Sequence, residues 1–481
     1  MLILYRLFLY LAAPWVALSW LARALRDRRY FERCPQRLGF IARDLPPGSV
    51  WIHAVSVGEV NAAAPLIEHL LARHPHKAIL VTTMTPTGAE RVARIFAGRV
   101  RHCYLPYDYP GAVRRFLARA APCLALVMET EIWPNLIAAC ARRRVPMFCV
   151  NVRLSKRSLR GYRRYRSLLA PALRSIDRFA AQNRADARRL IHLGARADAV
   201  EVTGSLKFDI ALPPEAIEAA SEVRRGWGAQ RPVWLAGSTH EGEEAQILDA
   251  FARLKKQNSA LLLVIAPRHP QRFKRVFRLC VRRGYQTELR SNSLGDGAFS
   301  GERGHDHGLD GDGDGDGDHG RDNNAGDPGQ LNAATDICIA DTMGELPMLI
   351  AAADVAFIGG SLVPVGGHNV LEASAAGVAV VFGSHMFNFA EIADQLVQHA
   401  AGIQVMNRNE LAEVVQRLLA DPHLRQQYAT HGRALLKKNR GALAKVRAFV
   451  DEQLTRQSGD AHSGGRDGGE TVGVTALRAG S

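Results

Sequence analysis

Phe357-Ile-Gly-Gly-Ser-Leu-Val-Pro-Val-Gly-Gly-His-Asn-Val-Leu-Glu-Ala373 reads as a buried strand, a loop framed by two glycine pairs, and a helix that opens at Asn369. Asn369 and Glu372, three residues apart, can form an N-terminal capping box. Capping alone does not explain so long a glycine-rich loop between a strand and a helix. A loop of that kind at the carboxyl end of a strand is where open α/β sheets bind their ligands, so this stretch sets the fold class as α/β and marks one half of a site.

The same strand-then-helix rhythm extends in both directions. Around the loop lie the apolar runs Val233–Ala236, Ala260–Ala266, Ile337–Ala340, Val355–Ile358 and Val378–Phe382, with segments between them long enough for helices. An earlier series runs through Val50–Val55, Ala78–Thr83, Leu124–Glu129, Val145–Val152 and Val200–Thr203. Each series predicts βαβ units and a parallel sheet, so the chain reads as two α/β domains in tandem with ligands in the cleft between them. No G-x-G-x-x-G follows a predicted strand, which removes the nicotinamide fingerprint. Residues 291–330 interrupt the second series with alternating Gly and Asp from Asp310 to Asp318, and this composition predicts a disordered insertion. Asp310, Asp312, Asp314 and Gly315 match the first half of an EF-hand, but position twelve is Arg321, so no metal is expected there. The Gly-rich tail 458–481 also predicts disorder.

With 481 residues, 47% hydrophobic and 23% charged, the chain has ample apolar material for more than one core. The net charge of +15 favours anionic partners, whether phosphorylated metabolites, membrane lipid or nucleic acid. Seven scattered cysteines without a C-x-x-C pair give neither a disulfide framework nor a zinc site. At the N-terminus Leu7 to Ala22 carry no charge, and residues 1–30 predict a membrane-anchor helix. Arg23, Arg26, Arg28 and Arg29 follow the apolar run, the order that keeps the following domain on the cytoplasmic side and the reverse of a signal peptide. Pro14, Trp15 and Trp20 suit a helix in the membrane plane as well as a spanning one.

Several strand ends carry chemistry. Trp51 to Glu59 delivers the Glu59 carboxylate at the start of a helix, as a general base or as a complement to the helix dipole. Met128 to Asn135 places Glu129 and Glu131 at alternate positions, which point to opposite faces if the strand persists. From Cys140 through Arg178 there are twelve Lys or Arg and a single acid, Asp177, interleaved with Leu159, Tyr162, Tyr165 and Leu168. That face suits an anionic membrane or a phosphorylated ligand. Asn151, Arg153 and Ser155 follow a strand, and Lys207 follows a glycine turn where a cation could neutralise developing charge. In the second half, Gly237 and Ser238 offer backbone N–H groups, Arg268 a guanidinium fork, and Asp341 to Glu345 further backbone groups, all after predicted strands.

Seven segments in order, S-V-G-E at Ser56–Glu59, E-T-E-I-W-P-N at Glu129–Asn135, N-V-R-L-S at Asn151–Ser155, T-G-S-L-K-F-D, A-P-R-H-P, D-T-M-G-E-L and G-G-H-N-V-L-E, resemble the 3-deoxy-D-manno-octulosonic acid (Kdo) transferases of lipopolysaccharide assembly. The resemblance covers roughly Leu2 to Val450 and breaks at the Gly-Asp insertion and the tail. It implies a glycosyltransferase-B fold of two Rossmann-like domains, an acceptor domain at 31–225 and a CMP-Kdo domain at 226–457. It implies Glu59 as the base on the acceptor hydroxyl, and Glu129 and Lys207 as transition-state stabilisers. Pro267, Arg268, Met343, Gly344, Glu345, Asn369, Val370, Leu371 and Glu372 match positions that hold CMP. Implied with them are the donor CMP-Kdo, a lipid A disaccharide bisphosphate acceptor, inner-membrane lipid as a partner with the catalytic domains on the cytoplasmic side, and no cofactor, metal or nucleic acid. The alternative is another lipid-directed nucleotide-sugar transferase of the same fold. Val370 stands where relatives often have proline.

Overall fold

The computed structural model describes residues 1–43, 45–294 and 330–463; most of the Gly-Asp insertion and the end of the tail lie outside them. The chain divides into two units, Met1–Asp209 with Asn439–Ser481, and Ile210–Lys438. The first unit holds β1 (Ser49–His53), β2 (Ile79–Thr83), β3 (Arg101–Tyr104), β4 (Pro122–Met128), β5 (Met147–Val152), β6 (Arg178–Ala181) and β7 (Val200–Val202). The second holds β8 (Val233–Thr239), β9 (Leu262–Pro267), β10 (Thr287–Leu289), β11 (Ile337–Ile339), β12 (Val355–Ile358), β13 (Ala379–Gly383) and β14 (Ile403–Val405). Their orders are β3-β2-β1-β4-β5-β6-β7 and β10-β11-β9-β8-β12-β13-β14. Neighbouring strands pair in parallel throughout. Strand order reverses between β1 and β4 in the first sheet and between β8 and β12 in the second, and such reversals open a pocket at the carboxyl edge.

Because side chains alternate across a strand, each central strand feeds two cores. In the first unit Trp51, Leu80, Val127 and Phe179 pack beneath helices that include Pro110–Ala120, Pro134–Arg142 and Arg184–Leu193. Ile52, Val81, Leu126 and Phe148 face the other way, towards helices Val57–Arg73 and Ala442–Ser463. That last helix brings Val446, Phe449, Val450 and Leu454 into the first unit's core, and Phe449 meets Phe148 edge-on at 5.6 Å. Asp209 fixes its start, since the N–H groups of Gly441 and Leu443 each donate to its carboxylate at 2.7 Å. The division between units therefore falls at Asp209, not at residue 225, and helix Pro214–Trp227 belongs to the second unit. The closing helix runs to Ser463, into the stretch read from composition as tail.

Four strands have no counterpart in the sequence reading. β3, β10 and β14 are sheet edges of three or four residues with partly exposed side chains, and β6 is four residues with two alanines. None presents the unbroken β-branched run that identifies a doubly covered parallel strand.

The first helix, Leu2–Arg26, includes a stretch, Leu2–Leu25, long and apolar enough to cross a membrane. Its start is fastened to the first unit. The Tyr5 hydroxyl donates to Asp108 at 2.9 Å, the Arg6 guanidinium to the Asn135 side chain at 2.8 Å, and the Tyr109 hydroxyl to the Leu9 carbonyl at 3.2 Å. Ile3, Leu7, Leu11, Trp15 and Leu18 remain exposed.

Candidate active site

In the first unit the chemistry gathers at the β1/β4 reversal. Val57–Arg73 begins directly after β1, and Glu59 in its first turn folds back so that one carboxylate oxygen accepts the Val55 N–H at 2.8 Å. The Ser56 hydroxyl stands 3.4 Å from the other oxygen. Glu59 is only 8% exposed. Burial pushes its carboxyl up to about 8, with the charges of Glu129 and Glu131 adding to the rise and the Val55 bond opposing it. Such a group is a far stronger base than an ordinary carboxylate when it loses its proton.

Glu129 and Glu131 do not alternate across a continuing strand. β4 ends at Met128, and Glu129 takes a left-handed conformation with φ 57° while its N–H still donates to the Val150 carbonyl at 2.8 Å. This turn breaks the period-two pattern, so both acids lie close enough to influence Glu59. Burial also raises the Glu131 carboxyl, which accepts the Trp133 indole N–H at 2.9 Å. At the end of β5, Asn151 is fully buried and left-handed at φ 59°. Its side-chain oxygen accepts the Leu206 N–H at 3.1 Å and faces the Ser205 hydroxyl at 3.3 Å, while its amide nitrogen has no partner among the described residues. Asn151 thereby holds the turn Leu206–Phe208 that carries Lys207, and this turn packs on helix Val57–Arg73. Asn151 was legible as a residue after a strand, but its supporting role depends on a contact 55 residues away.

In the second unit the loops after β8, β9, β11 and β12 supply the predicted donor residues. Ser238, left-handed at φ 56°, is the last residue but one of β8, and the Arg268 N–H after β9 donates to the Thr239 carbonyl at 3.0 Å. Left-handed non-glycine residues each cost about 1 kcal/mol or more, so their presence at Glu129, Asn151 and Ser238, at the carboxyl ends of β4, β5 and β8, marks backbone shaped for something other than stability. After β11, Asp341 accepts the N–H and hydroxyl of Ser291, which follows β10, at 2.8 and 2.6 Å, Thr342 donates to Glu345, and Arg290 pairs with Glu345 at 3.6 Å. Between them Met343 is exposed and Gly344 turns at φ 94°.

The glycine loop after β12 is held by Glu243. One of its carboxylate oxygens accepts the N–H groups of His240 and Gly360 at 2.9 and 2.6 Å, and the other accepts those of Ser361 and Leu362, both at 2.9 Å. A Cβ at Gly359 would stand 2.6 Å from the Ser238 carbonyl oxygen, so only glycine lets the β12 exit pass the β8 exit. The helix opens at Leu371 rather than Asn369. Asn369 accepts the Leu371 N–H at 3.2 Å, and Glu372 accepts from the Asn369 side-chain amide at 3.1 Å. Val370 and Leu371 are both fully buried, so the chain enters the core as the helix starts. Val370 and Leu371 can reach a ligand through their backbone alone.

The sequence reading did not assign a role to His240, His269 or Glu243. His240 and His368 are joined Nε2 to Nε2 at 2.8 Å. Among the described residues no group of three or more His, Cys, Asp or Glu side chains is arranged to hold a metal ion.

Residues 32–210 match the family model described as 3-deoxy-D-manno-octulosonic-acid transferase (kdotransferase), and 330–435 that of glycosyl transferases group 1. A 3-deoxy-D-manno-octulosonic acid transferase of Haemophilus influenzae is 36% identical over 437 residues, spanning 90% of this chain and 94% of the relative. That of Bordetella pertussis is 36% identical over 456 residues, spanning 92% and 97%. A crystal structure of a glycosyltransferase from Rickettsia africae ESF-5, 13% identical, shares the fold at a TM-score of 0.50, covering 85% of this chain and 99% of that one. With the two parallel sheets and the ordered motifs at their carboxyl edges, these similarities show that the chain is a glycosyltransferase of glycosyltransferase-B type and belongs to the 3-deoxy-D-manno-octulosonic acid transferase family.

Proposed function

We propose that the chain moves Kdo from CMP-Kdo to the lipid A disaccharide bisphosphate precursor (lipid IVA), with inversion at the anomeric carbon and Glu59 as general base. The observation that carries this reading is the Glu59 carboxyl: buried, engaged by one short N–H bond, and pushed up to about 8 at the carboxyl end of β1. Glu59 takes the proton of the acceptor hydroxyl as its oxygen forms the new bond to the anomeric carbon. The bond from that carbon to the CMP phosphate oxygen breaks, and its electron pair leaves with the phosphate. Positive charge developing on the sugar ring favours the Glu129 carboxylate, and Lys207, on the turn held by Asn151, balances negative charge at the reacting centre. In the second unit Arg268 and the backbone of Met343 to Glu345 and Asn369 to Glu372 hold CMP, the main chain serving at Val370 and Leu371.

Both ends of the first helix are tied to one folded unit, the start through Tyr5, Arg6 and Leu9 and the end by covalent continuity. A helix tethered in this way supports an anchor lying in the cytoplasmic face of the inner membrane, with Ile3, Leu7, Leu11 and Trp15 in the lipid. The basic face from Arg142 to Arg174 suits the phosphates of such a surface.

Mass spectrometry of lipid IVA incubated with the purified chain and CMP-Kdo, with and without a chelator, tests the reaction. The expected product gains one or more Kdo units in both conditions. No gain with CMP-Kdo, and a gain with another nucleotide sugar, would move the chain to a different donor.

A further inference from the structure

We propose that His240 and His368 form a shared-proton pair whose outward Nδ1–H donates to the phosphate of the nucleotide leaving group. This rests on the reading that the second unit holds CMP.

His240 follows β8 and His368 closes the glycine loop after β12, so the pair bridges the two strands at the sheet's order reversal. Their ring centroids stand 5.0 Å apart with planes 10° from parallel, so the two Nε2 atoms meet edge to edge. A 2.8 Å contact between two Nε2 atoms admits a single proton, so one ring donates and the other accepts. Each neutral imidazole carries one proton in total. The accepting ring must therefore carry its own on Nδ1, and among the described residues the Nε2–Nε2 contact is the one ring hydrogen bond of either histidine. The pair thus presents one outward N–H donor and one outward acceptor.

Apart from the Glu243 carboxylate, whose oxygens are taken by four backbone N–H groups, the charges beside the pair are mostly cationic. The groups whose charge bears on His368 are His240, Arg268 and His269, none of them acidic. Those bearing on His240 are His269, Arg272, Arg268 and Glu244, and Glu244 is taken by Arg272, which donates to both its oxygens. His269 meets His240 edge-on at 5.3 Å, which places the Arg268 segment beside the pair. Burial lowers both imidazoles, so each stays neutral near pH 7 and the donor count above holds. A Cβ at Gly360, whose φ is 68°, would stand 3.1 Å from the His368 ring and 3.5 Å from the His240 ring. Glu243, through its bonds to the His240 and Gly360 N–H groups, fixes both sides of the pair. As the sugar–phosphate bond breaks, the phosphate oxygen gains charge, and the outward N–H bond strengthens with no proton changing owner.

Calorimetric binding of CMP and of cytidine to the full chain separates a phosphate contact from a structural one. In H240Q/H368Q the amides keep the contact near the Nε2 positions and lose both outward nitrogens. The expected result is at least about tenfold weaker CMP binding with cytidine binding unchanged. H240N/H368N, which restores a donor near each Nδ1, should hold CMP affinity within about threefold. Unchanged CMP binding in H240Q/H368Q would overturn the proposal, and so would an equal loss for CMP and cytidine, which marks a structural pair. If the double variant does not fold, H240Q and H368Q singly give the same comparison. Wild-type chain that binds no CMP would overturn the donor reading and this proposal with it, whereas CMP binding indifferent to the histidines would overturn this proposal alone.

Discussion

Glu59 and Glu243 occupy the same station in the two units: each is a buried glutamate in the first turn of the helix that follows a strand at the order reversal. Their surroundings give them different chemistry. The Glu243 carboxylate accepts four backbone N–H bonds, about as many as a carboxylate can hold, and so staples the glycine loop. Glu59 accepts one short N–H bond and a long hydroxyl contact, which leaves it acceptor capacity and basicity. Two parallel sheets of like topology thus use one position once to build a loop and once to move a proton.

Swapping each acid for its amide breaks this comparison in opposite ways. E59Q should lower kcat for Kdo transfer by about 10²–10⁴-fold, measured by product mass over time, while CMP affinity stays at the wild-type value. E243Q should instead act on structure. Its amide group turns N–H donors towards backbone N–H donors, and a loss of about 2–4 kcal/mol in denaturant unfolding of the second unit, with weakened CMP binding, is expected. The pH dependence of stability sharpens the contrast. Glu59 keeps its proton in the folded chain up to about 8, whereas the unfolded chain releases it near the usual value of about 4.3. Its folded pKa is raised, so its contribution is fully present below the unfolded value and declines as pH rises through the folded one. E59Q should therefore gain stability over wild type between pH 5 and 8, by up to a few kcal/mol in Tm-derived free energy. The smallest effect belongs to N151A, which loosens the Lys207 turn and should lower kcat about tenfold with little change in the KM for CMP-Kdo.

Only the Glu59 side of this contrast was legible in the sequence, and the rest of the fold and site divides for physical reasons. The central strands announced themselves as unbroken apolar runs because both their faces are covered. The edges β3, β10 and β14 and the inner strand β6 did not, being short, partly polar or alanine-rich. Glu59, Glu129 and the G-G-H-N-V-L-E loop could be placed at strand ends from local pattern alone. The cluster of Glu59 with both later acids could not, because it depends on a left-handed Glu129 that ends the alternation. Asn151 with Leu206, Glu243 with residues 360–362, and His240 with His368 are contacts across 55 to 128 residues, which no spacing rule reaches. The domain limit was misjudged for the same reason, since Asp209 caps a helix that begins more than two hundred residues later.

The central claim is that Glu59 acts as a base whose strength is set by burial and by neighbouring acids. The pH profile of kcat/KM for Kdo transfer tests it most directly, because that profile reports ionisations of the free enzyme. Wild type should show a rising limb with its midpoint near 8, and E131Q, which removes one of the charges that raise Glu59, should move the limb to lower pH. A profile flat from pH 6 to 9, or a limb that E131Q leaves in place, would contradict the account.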